Sequence, residues 1–310
     1  MKPTKPFFCT VLVLVLPLLL SHCGNQQRPG AKPDLSSRLQ ESRFGKSSND
    51  ILPPDRMEAL GEIALQSGDY DSSLINFLGI LKKEPQRYDL HYKVGVIFLL
   101  KGQLEPAQNE LALVLVHRPE MVQAHEALGM VHLQQKKYPQ ALAEFQFAVS
   151  QDSQRANPRH LLGIAYLEAG QPGKAIAELN RAVVLDRRQM ASYAALGQAY
   201  RELKDYRRAV DCLKQGLSQE PTNQKLNYQL GMALAGEKRY NEALEAFMKA
   251  GDEAQAYNNI GVHYFVGGQY EEAAKCFQRA IELRPTFYGE AKTNLQRALE
   301  KLHQVRKDDG

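Results

Sequence analysis

The sequence predicts an all-α fold built as a solenoid of stacked helix-turn-helix units, and three observations carry that prediction. A glycine recurs at a fixed interval: Gly61, Gly95, Gly129, Gly163, Gly197 and Gly231 stand 34 residues apart, and Gly261 follows after 30. Twelve residues beyond each comes a small residue (Ser73, Ala107, Ala141, Ala175, Ala209, Ala243, Ala273), and four further on a bulky one (Phe77, Leu111, Phe145, Leu179, Leu213, Phe247, Phe277). Between these marks the apolar residues fall at helical spacing, as in "YNNIGVHYFVGGQYEEAAKCFQRAIELRP" from 257 to 285. One amphipathic hairpin needs a neighbour to bury its face. A chain that repeats the hairpin supplies that neighbour itself.

Taken in order, residues 1–22 read as a signal peptide. Lys2 and Lys5 precede an apolar run from Phe7 to Leu20, shorter than the about 20 residues of a membrane-spanning helix and suited to a signal core. Leu20-Ser21-His22-Cys23 resembles the lipobox of bacterial lipoproteins, with Leu20 and Ser21 matching and His22 standing where a small residue is usual. The resemblance implies that Cys23 is acylated and becomes the new N-terminus. It also implies export and lipid anchoring to the bacterial envelope; Gly24 is compatible with the outer membrane, facing the periplasm. The other reading is an ordinary secretory signal with a cysteine nearby.

Residues 23–53 are rich in Gly, Pro, Ser, Asn and Gln and lack apolar periodicity, so they read as a flexible linker. As a coil it reaches about 30 Å in the root-mean-square sense. From Pro54 the units run 54–87, 88–121, 122–155, 156–189, 190–223, 224–253 and 254–287. The glycine and the small residue are expected where the two helices of a unit cross, and the bulky residue between one pair and the next. Pro85, Pro119, Pro221 and Pro285 close four units, because proline cannot continue a helix interior. The sixth unit lacks four residues, close to one helical turn, so its second helix is expected to be short. That reads either as a tolerated deletion or as a change of pitch beside a binding site. Residues 288–306 are amphipathic without a partner helix and read as the cap such arrays need.

This pattern resembles the tetratricopeptide repeat over about three quarters of the chain. The resemblance implies a right-handed solenoid of seven repeats plus a C-terminal capping helix. It also implies that the fifth, ninth and twelfth places of each first helix face a concave groove. The ninth row then reads Glu62, Val96, Met130, Ile164, Gln198, Met232 and Val262; the twelfth reads Leu65, Leu99, Leu133, Leu167, Arg201, Ala235 and Phe265. Exposed apolar clusters mark interaction surfaces, and methionine suits an adaptable one. Val96, Met130, Ile164, Gln198, Arg201, Met232, Asn258 and Val262 are therefore the candidate partner-binding residues, while the leucines of the twelfth row also suit packing between helices. The family's clamp for a peptide's C-terminal carboxylate is not matched: Asn258 and Asn259 miss the ninth place, and no inner lysine pair accompanies them. A helical or extended peptide from another protein is the implied ligand.

Other functional classes find no support. No phosphate-binding loop, HExxH, GxSxG or dinucleotide motif occurs, so no catalytic residue and no cofactor is assigned. His125 and His132 lie seven apart on one helix without a third ligand, which suits packing or surface roles rather than a metal. Cys9 falls in the signal core, and Cys212 and Cys276 lie two repeats apart, too far for a disulfide. The net charge of +4 is spread over scattered pairs such as Lys82-Lys83 and Arg207-Arg208, unlike the focused basic face of a nucleic-acid binder. The expected function is a non-catalytic scaffold, resembling the tetratricopeptide lipoproteins that help type IV or Tad pili and secretins assemble. Adaptors for peptidoglycan-remodelling enzymes, and a holdase for unfolded exported chains, stay open as alternatives.

Overall fold

The computed structural model describes residues 52–284 and 289–308; the signal segment, Cys23 and the linker through residue 51 lie outside the described residues. Fifteen α-helices and no strand occur among the described residues. They come as α1 (Pro54–Ser67) with α2 (Tyr70–Leu81), α3 (Tyr88–Leu100) with α4 (Leu104–His117), and α5 (Val122–Gln134) with α6 (Tyr138–Gln151). There follow α7 (Ala156–Glu168) with α8 (Pro172–Leu185), α9 (Met190–Glu202) with α10 (Tyr206–Leu217), α11 (Gln224–Gly236) with α12 (Tyr240–Ala250), and α13 (Glu253–Val266) with α14 (Tyr270–Leu283). The last helix is α15 (Gly289–Asp308).

Two compact units hold these hairpins among the described residues, dividing after Gln151. In the first, hairpins one to three (α1–α6) stack so that each second helix packs on the next first helix. In the second, hairpins four to seven (α7–α14) stack the same way, and α15 packs on α14 and α13.

Each hairpin closes on one contact. A Cβ placed on Gly61 would lie 2.5 Å from the Phe77 ring, on Gly129 2.6 Å from Phe145, and on Gly163 2.5 Å from Leu179. Gly95, Gly197, Gly231 and Gly261 meet Leu111, Leu213, Phe247 and Phe277 in the same way. The bulky residue thus packs onto the glycine of its own hairpin, which corrects the expectation that it fills the gap to the next. The small residues of the second helices are fully buried at the crossing, from Ala107 to Ala273. Ser73 fits there because its Oγ donates to the Gly61 carbonyl at 2.9 Å, which satisfies a hydroxyl that burial would otherwise penalise.

Three features fix how the hairpins turn and join. Between the two helices of a hairpin one residue adopts a left-handed backbone, supplied by Gly68, Gly102, Gly170 and Gly268 in four hairpins and by Lys136, Lys204 and Lys238 in the others. At the fourth place of several first helices a polar side chain bonds the preceding linker, and in three of them its own second helix as well. His91 Nδ1 lies 2.5 Å from Glu110 and its Nε2 3.1 Å from the Pro85 carbonyl; His125 does the same with Glu144 (2.5 Å) and Pro119 (2.8 Å). Arg159 donates to Glu178 (2.7 Å) and to the Ser153 carbonyl (3.0 Å), and Asn227 donates to the Pro221 carbonyl (2.9 Å). The third feature is the shortfall in the sixth hairpin, where α12 has 11 residues against 12 in α2 and α10 and 14 in α4, α6, α8 and α14.

Candidate functional site

The inner face is built by the second, fifth, sixth, ninth and twelfth places of the first helices, because side chains there meet across successive hairpins. In hairpins one and two these places carry charges that satisfy one another. Arg87, just before α3, donates to Glu58 at 2.9 Å and to Asp89 at 2.7 Å, which holds its guanidinium more firmly protonated. Lys93 pairs with Glu62 and lies 3.9 Å from Glu58. Nearby, Val96 and Met130 are 0% and 4% exposed, and in the second unit Ile164 is 2% exposed. All three were expected on an open wall, and all three are core. The physical reason is that a first helix is covered on several sides at once: α3, for example, packs on α2, α4 and α5, so an apolar side chain just past the crossing glycine is enclosed.

The same face is more open in hairpins five to seven. Gln198, Arg201 and Met232 are partly exposed and Val262 is 38% exposed, as is its neighbour Val266 still more fully. Arg201 donates to the buried amide oxygen of Gln229 on α11. Among the described residues no carboxylate approaches its guanidinium within ion-pair distance; burial pulls its pKa down, opposed in part by Tyr228, Glu202 and Tyr206. His263 Nε2 lies 3.3 Å from Met232 Sδ, and burial, aided by the charge of Arg201, keeps its imidazole neutral to lower pH than usual. Asn258 is not part of this wall: it is 3% exposed and accepts a hydrogen bond at 3.2 Å from Asn294 of α15.

Beside the short α12 opens a hollow of about 240 Å³ lined by Gln224, Lys225, Tyr228, Phe247, Gln255 and Asn259, with Ala250 and Gly251 at its edge. Tyr228 is 40% exposed with its ring 5.7 Å from Phe247, and burial lowers the pKa of the Lys225 ammonium. Lys225, Tyr228 and Gln229 were missed in the sequence, although they occupy the second, fifth and sixth places of the sixth hairpin. Aligning those places, and not the ninth and twelfth alone, would have found them. The arrangement offers two partly desolvated cations, several amides and an aromatic and aliphatic strip. That set can bind a peptide.

The histidines and cysteines serve elsewhere. His125 belongs to the hairpin junction described above, and His132 is largely buried. His160 is 1% exposed, with Nδ1 3.0 Å from Ser192 Oγ, which in turn donates to Gln189. Cys212 and Cys276 are free thiols. Among the described residues no group of three His, Cys, Asp or Glu side chains could hold a metal ion, and no helix is long and apolar enough to cross a membrane.

Comparison with known proteins places the chain. Family models described as the tetratricopeptide repeat match residues 132–199, 191–223, 224–250 and 254–287. No curated protein sequence matches significantly. Among solved structures, a tetratricopeptide repeat protein from Parabacteroides merdae is similar with a TM-score of 0.60 at 14% identity, over 79% of this chain and 98% of that one. The C-terminal part of a repeat protein from Cytophaga hutchinsonii gives 0.58 at 17% identity, over 76% and 98%. Pseudomonas aeruginosa pilF gives 0.53 at 20% identity, over 69% and 97%. At these identities the likeness concerns the fold.

Proposed function

The chain is a tetratricopeptide-repeat protein, and from that premise we propose that it is a non-catalytic, lipid-anchored scaffold that helps an envelope machine of the pilus or secretin class assemble. The repeat fold supports protein–protein interaction in general. The narrower reading rests on the signal-like run from Phe7 to Leu20 followed directly by Cys23, and on the linker that would hold the repeats off a membrane surface. One observation carries the interaction claim above the others: in hairpins five to seven the inner face leaves Tyr228, Met232, Val262 and the desolvated Arg201 open to a partner.

The test replaces Met232 with a photo-crosslinking residue in the full chain expressed in its own cells. A few defined envelope proteins, captured at fixed stoichiometry and lost in an Arg201→Glu variant of unchanged melting, are the expected outcome. Capture of many unrelated exported chains would replace the scaffold with a holdase, and retained capture in Arg201→Glu would move the site off this face. For the anchor, Cys23→Ser should abolish diacylglycerol at the mature N-terminus. A soluble wild-type protein beginning at Gly24 would remove the lipoprotein reading.

A further inference from the structure

In hairpins four to seven the places that build the inner face, buried or open, carry no acid. Its second, fifth, sixth, ninth and twelfth places read Asn157, His160, Leu161, Ile164 and Leu167; then Ala191, Ala194, Ala195, Gln198 and Arg201; then Lys225, Tyr228, Gln229, Met232 and Ala235; then Gln255, Asn258, Asn259, Val262 and Phe265. The same places in hairpins one to three carry Asp55, Glu58, Glu62, Asp89 and Glu126. Glu202, at the thirteenth place, is exposed and takes a hydrogen bond from Gln198 at 3.1 Å, so it sits at the margin of this face. We infer that hairpins five to seven bind an extended peptide segment that carries two internal acidic side chains, one seated on Arg201 and one in the Lys225 hollow, with apolar residues between them on Tyr228, Met232 and Val262. The inference rests on the scaffold reading above and specifies the chemistry of its partner.

The spacing follows from the helices. Arg201 occupies the twelfth place of hairpin five and Lys225 the second place of hairpin six. Ten places along a helix axis are about 15 Å. The neighbouring axes of α9 and α11 add about 8–10 Å sideways. The Cα atoms of the two residues therefore stand about 17 Å apart, and the Arg201 guanidinium shortens the gap between the charges by reaching back to Gln229, four residues beyond Lys225 on α11. An extended segment rises about 3.3 Å per residue, so acids up to about five or six positions apart match the gap. The amides favour an extended occupant over a helical one: Gln224, Gln255 and Asn259 line the hollow, and an extended backbone has free N–H and C=O groups for them whereas a helix has bonded its own. Charge supports the same choice, because burial disfavours the cationic forms of Arg201 and Lys225 and a carboxylate brought near them favours those forms.

The experiment measures binding of fluorescein-labelled, C-terminally amidated synthetic peptides to the full chain. One peptide has two glutamates about six positions apart around a Val/Leu/Met-rich middle; companions have either glutamate changed to glutamine, glutamates about three positions apart, or a free C-terminus. The amidated acidic peptide is expected to bind, each Glu→Gln change to weaken it roughly tenfold, and the short spacing to weaken it similarly. Arg201→Gln should abolish the benefit of one glutamate and Lys225→Gln that of the other, with unchanged circular dichroism. Binding that ignores the glutamates, survives both substitutions, or depends on a free C-terminal carboxylate would overturn the inference. Should the crosslinked partners of the previous section persist while no acidic peptide binds, the scaffold reading stands and this one falls.

Discussion

At the scale of single residues, the contact that closes each hairpin is between one hydrogen and one ring or branched carbon. At Gly163 an added Cβ would sit 2.5 Å from Leu179 Cγ, so Gly163→Ala should destabilise the protein by about 1–3 kcal/mol in denaturant unfolding. Combined with Leu179→Ala it should cost less than the sum of the two, since trimming the leucine makes the room that the methyl needs. His160 predicts a pH effect. Burial, and then the charge of Lys225, push its pKa from 6.5 down to about 3, so the fold favours the neutral ring. The unfolded chain takes up a proton below pH 6.5 and the folded chain does not until about pH 3. Stability is full above 6.5 and falls with pH between 6.5 and about 3, by a few kcal/mol across that window. His160→Gln should flatten this part of a melting-temperature profile, leaving the smaller slopes from His132 and His263, which shift in the same direction.

At the scale of the element, the turns within hairpins three, five and six hold a lysine where the other four hold a glycine. A left-handed backbone costs an L-residue about 1–2 kcal/mol, while glycine costs about 0.5–1 kcal/mol in chain entropy, so the balance favours glycine by roughly 0.5–1 kcal/mol. Lys136→Gly, Lys204→Gly and Lys238→Gly should each raise the denaturation midpoint, and Gly102→Lys should lower it. The repeats were legible because their marks are local: glycine, small residue and bulky residue lie within one hairpin, and their spacing is the geometry of the crossing. The inner wall was legible only in part. Whether a ninth-place side chain is open depends on what the neighbouring helices bring, which the position alone does not say. Val96, Met130 and Ile164 share their place with Val262, yet only Val262 is exposed. The hollow at Lys225 was harder still to read, since it needs the shortened α12 and the start of α13 brought together.

At the scale of the whole molecule, each hairpin leans on its neighbours and on little else. Ala175→Leu places a large side chain at a fully buried crossing in hairpin four. Hydrogen exchange should then quicken first in α7 and α8, next in α9 and α10, and last in α15; uniform loss of protection would mean that the chain unfolds as one block. The charges on the inner face are similarly local, with the paired acids of hairpins one and two in the first unit and the amides of hairpins five to seven in the second.

The fourth-place junction makes the number of hairpins negotiable. His91 reaches back six residues to the Pro85 carbonyl and across to Glu110, and His125 reaches back six to Pro119 and across to Glu144. Excising residues 88–121 would join Arg87 to Val122 and leave His125 six residues after Pro85, with Glu144 still opposite. The splice recreates the junction it removes. Such a shortened chain should fold with its per-residue helicity nearly unchanged by circular dichroism. An excision of the sixth hairpin, residues 224–253, keeps the register, with Tyr257 six residues after Pro221, but it removes the Asn227 amide that donates to the Pro221 carbonyl and puts a tyrosine in its place. The array can therefore be lengthened or shortened by recombination near its start more readily than near its hollow, where a splice does not regenerate the fourth-place junction and removes Gln224, Lys225 and Tyr228 from the lining.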